Sequence, residues 1–180
     1  MTTTGTYTTA QVNAAKRVIK NAAKIHPAKP QLHAAWTEDG QQCFMDGFRG
    51  FRLAEAMPLE VTWTVHVGKP LDLNLSKYID PAKEANTWSF NLPTLASVKA
   101  HIKAVKAERK AEGVPLDMAI PYDLGDDLPR VNAQYLVDLL EILPDAKKAW
   151  LDPHRHLLCP IYVSTGIGDA ILMPVHKKTK

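Results

Sequence analysis

Hydrophobic and polar positions are most clearly patterned between residues 130 and 175, RVNAQYLVDLLEILPDAKKAWLDPHRHLLCPIYVSTGIGDAILMPV. Leu136, Leu139, Leu140 and Leu143 fall at i, i+3, i+4 and i+7, one face of an α-helix. Asn132 stands ahead of them as a good N-cap, and Pro144 stops the run by lacking an N–H. Strands are predicted over 149–151, 157–164 and 169–175, with Gly166 and Gly168 supplying a permissive turn between the last two. The stretch reads as a βαβββ-type half-domain. The N-terminal part follows the same order. Thr8 and Gln11 have capping-box spacing, and Val12, Ala15, Ile19 and Ala22 form a narrow apolar stripe that ends at His26-Pro27. Residues 31–36 and 42–45 read as a hairpin around Glu38-Asp39-Gly40, and 51–56 as a third strand. The expected arrangement puts both helices on one side of an antiparallel sheet, with Val12, Ile19, Leu136 and Leu140 inward.

Between the halves the pattern changes. Val61, Trp63, Val65 and Val67 alternate with Thr62, Thr64 and His66, the period of a strand with one buried face. Residues 69–86 are rich in turn formers and suggest no firm element. Leu95, Val98, Ile102 and Val105 then mark a long helix, led by Pro93 and ended by Gly113 with Pro115 beyond. Its polar side carries Lys99, Lys103, Lys106, Arg109 and Lys110 against Glu108 and Glu112. Residues 58–128 thus read as an expanded middle or an insertion within a single domain spanning 1–180.

A chain of 180 residues, 46% hydrophobic and 23% charged, has the make-up of one ordinary globular domain. Its net charge of +3 is too small to argue for nucleic acid by itself, so the distribution of charge decides. Lys16, Lys20 and Lys24 step by four along the first helix and are joined by Arg17. Cys43 and Cys159 lack metal-type spacing and suggest buried free thiols. The opening MTTTGTYTTA has no signal-peptide layout, and no apolar run is long enough to span a bilayer. The expectation is a cytoplasmic protein with no membrane partner.

Candidate chemistry is sparse. His154 and His156 near Cys159 could present two imidazoles to zinc, but no second ligand pair accompanies them, and a polar hairpin loop is the plainer reading. Gly166-Ile167-Gly168 precedes a strand, whereas a phosphate loop precedes a helix. Asp126-Asp127 sits in a connector, where adjacent acids are usually solvated. Trp36, Trp63, Trp88 and Trp150 are scattered singly, which suits core or interface better than base stacking. Neither a GxSxG elbow nor a Walker sequence occurs. A small enzyme using His154, His156 or Asp46 is the weakest reading; no catalytic residue, metal or cofactor is expected.

Two pieces of sequence, in order, carry a family resemblance. In MDGFRGFRLAEAMP, Asp46, Gly47, Arg49 or Arg52, Leu53 and Ala54 match a D-G-x-R-L-A strand turn, the Gly50-Phe51 pair looking like an insertion. Downstream, Asn132, Tyr135, Leu136, Asp138, Leu140 and Leu143 match an NxxYLxDxLxxL helix, followed by strands and the terminal Met173-Pro174-Val175. Together they resemble the last domain of the sliding clamp, the β subunit of bacterial DNA polymerase III. The resemblance implies an α+β, DNA-clamp-like domain of two βαβββ halves, with an expanded, partly helical middle. Clamp subunits of that family string together three such domains, so a single one could encircle DNA only as a homo-oligomer. In the family the helices line a central hole and face the DNA backbone. That role needs basic side chains near phosphates, contacts that position without reading sequence. The candidates are Lys16, Arg17, Lys20 and Lys24 on the first helix and Lys99, Lys103, Lys106 and Lys110 on the middle one. The helix after Asn132 departs from this, carrying Asp138 and Glu141 and no lysine or arginine. The terminal Met-Pro segment of the family helps line a groove for peptides of replication proteins, which assigns Met173, Pro174 and Val175 to a partner groove; plain strand packing is the alternative. The implied function is a clamp-like, double-stranded-DNA-associated scaffold of replication or repair, of a reduced size that suggests a phage or mobile element. The rival is a protein interaction module that keeps the fold without encircling DNA.

Overall fold

The computed structural model describes residues 7–64, 74–154 and 159–175. Helix α1 (Thr9–Ile25) begins at the expected capping box: Thr8 Oγ1 accepts from the Gln11 N–H, and Gln11 Oε1 accepts from the Thr8 N–H at 2.8 Å. Strands β1 (Ala35–Glu38) and β2 (Gln41–Met45) turn on Asp39 and Gly40, at φ 47° and 79°. Two consecutive left-handed residues give the tight turn whose twist matches that of the strands. After β3 (Arg49–Leu53) come β4 (Val61–Thr64), α2 (Ser76–Ala85), β5 (Trp88–Asn91) and α3 (Leu95–Glu112). Then follow β6 (Pro121–Asp123), β7 (Arg130–Asn132), α4 (Ala133–Ile142), β8 (Lys148–Leu151), β9 (Ile161–Ser164) and β10 (Gly168–Leu172). The chain is α+β, and no helix among the described residues is long and apolar enough to cross a membrane.

Eight strands form one sheet in the order β4-β1-β2-β3-β10-β9-β8-β5, antiparallel throughout except where β4 joins β1. At its centre β3 pairs with β10, from Leu53 opposite Gly168 to Arg49 opposite Leu172. Outward from this seam each half repeats one order, α1-β1-β2-β3 on one side and α4-β8-β9-β10 on the other. The middle segment is woven into the same sheet, since β4 and β5 form its two edges. Strands β6 and β7 make a separate ribbon, joined to the end of the chain by a bridge between Arg130 and Val175.

Helices α1 and α4 pack together on one face, and α3 packs on α4. That pairing is the expected one for the two half-domain helices; α2, for which the sequence suggested no firm element, lies on the opposite face. The alternation of β3 shows it: Arg49 reaches Asp138 on α4, while Arg52 reaches Ser76 and Asp80 on α2. Covered on both faces, all five residues of β3 are buried. Helix α2 has no side-chain cap of its own. Glu38 of β1 supplies one, accepting from the N–H groups of Leu75 at 2.7 Å and Ser76 at 3.1 Å, and from Trp36 Nε1 at 2.6 Å. A carboxylate there satisfies orphan donors and complements the helix dipole.

Other local expectations need correction. The inward residues of α1 are Gln11, Ala14, Ala15, Val18 and Ala22, while Val12 and Ile19 are only partly buried. Gln11 serves on this face because its Nε2 donates to the Ile142 carbonyl oxygen at 3.2 Å. Leu136 and Leu140 are inward as expected. Gly168 is required by close approach rather than by a turn, since a Cβ on it would lie 2.3 Å from the Arg52 carbonyl oxygen. Among the described residues no strand precedes α1, and the strand ahead of α4, β7, pairs with β6. So neither half is a βαβββ unit within the main sheet. Val65 and Val67, and the 157–158 start of the strand predicted over 157–164, lie outside the described residues, as does the side chain of Trp63.

Candidate functional site

The two matched sequence pieces meet in space. Asp46 closes the β2–β3 turn, its Oδ1 accepting from the N–H groups of Phe48 and Arg49 at 3.0 Å, with Gly47 at φ 87° between Asp46 and Phe48. Arg49 Nη1 donates to Asp138 Oδ2 at 2.5 Å, and its Nε lies 3.2 Å from Asp46 Oδ2. The Arg49 guanidinium also sits 4.2 Å from the centre of the Tyr135 ring. Asp138 Oδ1 accepts from Arg17 Nε at 2.8 Å, and Asp46 Oδ2 from Asn21 Nδ2 at 2.7 Å. Arg49 is therefore the arginine that joins Asp46 to the α4 motif; Arg52 lies on the other face, 2.8 Å from both Asp80 and Asp169. Side chains of Arg49, Asp46 and Asp138 are at most 2% exposed. Burial pushes the Asp138 carboxyl above its ordinary value, against the pull of Arg49 and Arg17. Such a cluster adds little net stability yet is costly to break, because removing one member strands a buried charge.

On the outer side of the helices lies the second feature. Lys16, Lys20 and Lys24 are exposed and stand on α1 opposite its buried stripe, about 12 Å from first to last at 1.5 Å per residue. Lys103, Lys106 and Lys110 are likewise exposed on α3. At about 100° per residue they share a flank with Lys99, and Glu108 and Glu112 fall on the other flank. Arg17 and Lys99 are placed differently from what the sequence suggested. Arg17 is tied to Asp138 and Glu141, and Lys99 Nζ lies 2.6 Å from Glu141 Oε1. Burial raises the Glu141 pKa, but the bonds from Lys99 and Arg17 outweigh it and hold the carboxyl below its ordinary value. The three side chains border a trough of about 310 Å³ whose floor is Gln134 and Val137 of α4. Helices α1 and α3 together hold nine of the 22 Lys and Arg but two of the 19 Asp and Glu, so the rest of the chain is net acidic. The basic charge is segregated onto this layer.

A larger groove of about 550 Å³ opens at the β2–β3 turn, between Met45, Phe48, Arg49, Tyr78, Ile171 and Met173, with Lys29 also lining it. Phe48 and Tyr78 are 43% and 52% exposed. Met173 reaches the groove because its N–H donates to the Phe48 carbonyl oxygen at 2.7 Å. Pro174 and Val175 are not part of its wall; the Val175 N–H instead donates to the Arg130 carbonyl oxygen. Tyr78 escaped sequence reasoning because α2 itself gave no local signal.

The remaining candidates stay apart. His154 donates its backbone N–H to Asp152, and His156 lies outside the described residues. Among the described residues no three His, Cys, Asp or Glu are placed to hold a metal ion. Cys43 is buried, Cys159 is half-buried, and both are free. Asp126 and Asp127 are exposed. Trp36 is buried beside Glu38, and Trp150 packs against Tyr162 at 6.0 Å between ring centres. No family model, curated protein or solved structure matches the chain.

Proposed function

We propose that the protein is a sliding-clamp-like scaffold that holds double-stranded DNA by its backbone through the outer side of the helix layer. The observation that carries this reading is the segregation of basic side chains onto α1 and α3 while the rest of the chain is net acidic. Exposed lysines on rigid helices suit contacts to phosphates that carry no sequence information. The convergence of Asp46, Arg49, Tyr135 and Asp138 supports the resemblance, since both matched pieces serve one buried cluster. A domain of this size surrounds DNA only by self-assembly, and the edge strands β4 and β5 are the natural places for copies to meet. The test is duplex binding across a salt series. Replacing Lys16, Lys20 and Lys24 by Gln should weaken binding to all sequences alike and flatten the slope of log affinity against log salt by roughly two to three units. Solution mass with and without DNA reads out the assembly.

The groove favours a second reading, a protein interaction module. Phe48 and Tyr78 expose aromatic surface beside Met173, the arrangement that suits an apolar peptide. Wild-type protein that binds no duplex at low salt, whatever its oligomeric state, leaves this second reading in place and removes the first.

A further inference from the structure

From the placement of Glu141 we infer that α3, rather than α4, provides the second phosphate-facing row, and that Glu141 is an internal anion seated where Lys99 would otherwise hold a phosphate. The inference rests on the backbone-binding reading above and specifies its surface. Seven of the ten residues of α4 are buried, among them Leu136, Val137 and Leu140, and the helix has no basic residue to offer. Helix α3 lies on α4 and buries only Val98 fully, so most of its surface faces water. Val98, Leu95, Ile102 and Val105 turn its apolar side to the core, and Lys99 on one flank reaches Glu141, the same carboxylate that Arg17 reaches from α1. Since Lys103, Lys106 and Lys110 share the flank of Lys99, that flank is turned toward α1 across the trough, and Glu108 and Glu112 are turned away. Two cationic walls therefore border a floor on which Glu141 meets both Arg17 and Lys99, while the buried Asp138 also holds Arg17. Arg17 and Lys99 are 43% and 53% exposed, whereas Glu141 is 11% exposed, so the cations are reachable while their anion is largely sheltered. A phosphate entering the trough meets Lys99 already neutralised by Glu141, and Arg17 by Glu141 and Asp138 together. In the resting protein they contribute nothing to counterion release.

Duplex DNA of mixed sequence is titrated across a salt series with wild type, Glu141→Gln, Lys99→Gln, the double variant, and Lys103, Lys106 and Lys110 all changed to Gln. The α3 triple variant should flatten the salt slope by roughly two to three units, and Glu141→Gln should steepen it by about 0.9, the contribution of Lys99, since Arg17 keeps Asp138. Lys99→Gln should leave the wild-type slope unchanged but flatten that of Glu141→Gln by about 0.9. Thermal melting confirms that each variant folds. If Glu141→Gln does not fold, Lys99→Gln alone decides, because a flatter slope in the wild-type background means Lys99 already touches phosphate and the internal-anion role is wrong. Binding that depends on Lys16, Lys20 and Lys24 but ignores the α3 triple and Glu141 overturns this inference and leaves the broader reading standing. Absence of binding by both wild type and Glu141→Gln overturns both.

Discussion

The two halves share an order of elements and differ in what covers their helix. Helix α1 buries five of its 17 residues, and its lysine side is open; α4 buries seven of ten and lies beneath α3. The sequence of each reflects this. Helix α1 is built from alanines and lysines with one wet side, and α4 from leucine, valine and isoleucine on nearly every side. Position in the sheet order therefore does not decide which surface a helix presents. Coverage decides it, and the middle segment supplies the cover.

The largest expected effect comes from cutting the link between the halves. Arg49→Met takes a partner from both buried carboxylates, Asp46 and Asp138, and should cost about 3–5 kcal/mol in denaturant unfolding; Asp138→Asn, which leaves Arg49 its pairing with Asp46, should cost less. Arg49→Met combined with Asp138→Leu should recover only part of the Arg49→Met loss, because Asp46 then keeps Asn21 and two backbone N–H groups but no cation. A double variant as stable as wild type would mean that the cluster contributes no net stability. The next effect tests coverage directly. Leu136→Ala on α4 should cost about 2–5 kcal/mol, and Val12→Ala on the half-open α1 clearly less. Equal losses would break the comparison.

Titration gives a smaller difference. Strands β2 and β9 hold matching places in the two halves, and Cys43 and Tyr162 both face α2. Burial, with Asp169 alongside, pushes the Tyr162 hydroxyl from 10.0 up to about 12. A raised folded-state value means that its stabilising contribution is complete below pH 10 and is lost as pH rises toward about 12. Burial and Glu55 also raise Tyr7, so absorbance of tyrosinate against pH should show late titration by Tyr7 and Tyr162, and Tyr162→Phe should remove the part in step with alkaline unfolding. Asp169 acts in the opposite sense. Burial raises its pKa, but the bonds from Arg52, Tyr162 and Ser164 outweigh that and hold it below the ordinary carboxylate value, so its contribution is complete above that value and is lost as pH falls from it through the lowered folded-state value. The smallest effect leaves stability untouched. Burial first, then Glu38, raises the Cys43 thiol, so alkylation of the folded protein at neutral pH should modify Cys159 and spare Cys43.

Signals within a few residues were legible. The Thr8–Gln11 box, the Asp39-Gly40 turn and the stop of α3 at Gly113, at φ 70°, can all be read because their causes are local. Helix α2 was not legible. Its cap is Glu38, 37 residues before Leu75, and Pro81 lies inside it, so its neighbours in sequence argue against a helix. The inward side of α1 lies part of a turn away from the Val12–Ile19 stripe, because alanine marks no side strongly and buried Gln11 is satisfied by the Ile142 carbonyl. For the site, the lysines of α1 and α3 were visible as exposed rows. That Arg17 and Lys99 are already engaged was not, since Glu141 meets them only after three helices have packed. Both motif pieces could be found separately, but nothing in the letters says that they touch.

The seam between β3 and β10 has a consequence for how the chain reaches this state. Its cross-strand pair Arg52 and Asp169 is 117 residues apart, and Arg49 and Asp138 are 89 apart. Within each half the strands follow one another directly. Closing a long loop costs entropy before its contacts form, and such pairings slow folding. The two meanders should therefore assemble early and zip together late. Substitutions at Arg49 or Gly168 should then speed unfolding and leave refolding almost unchanged, so the seam sets the lifetime of the native protein.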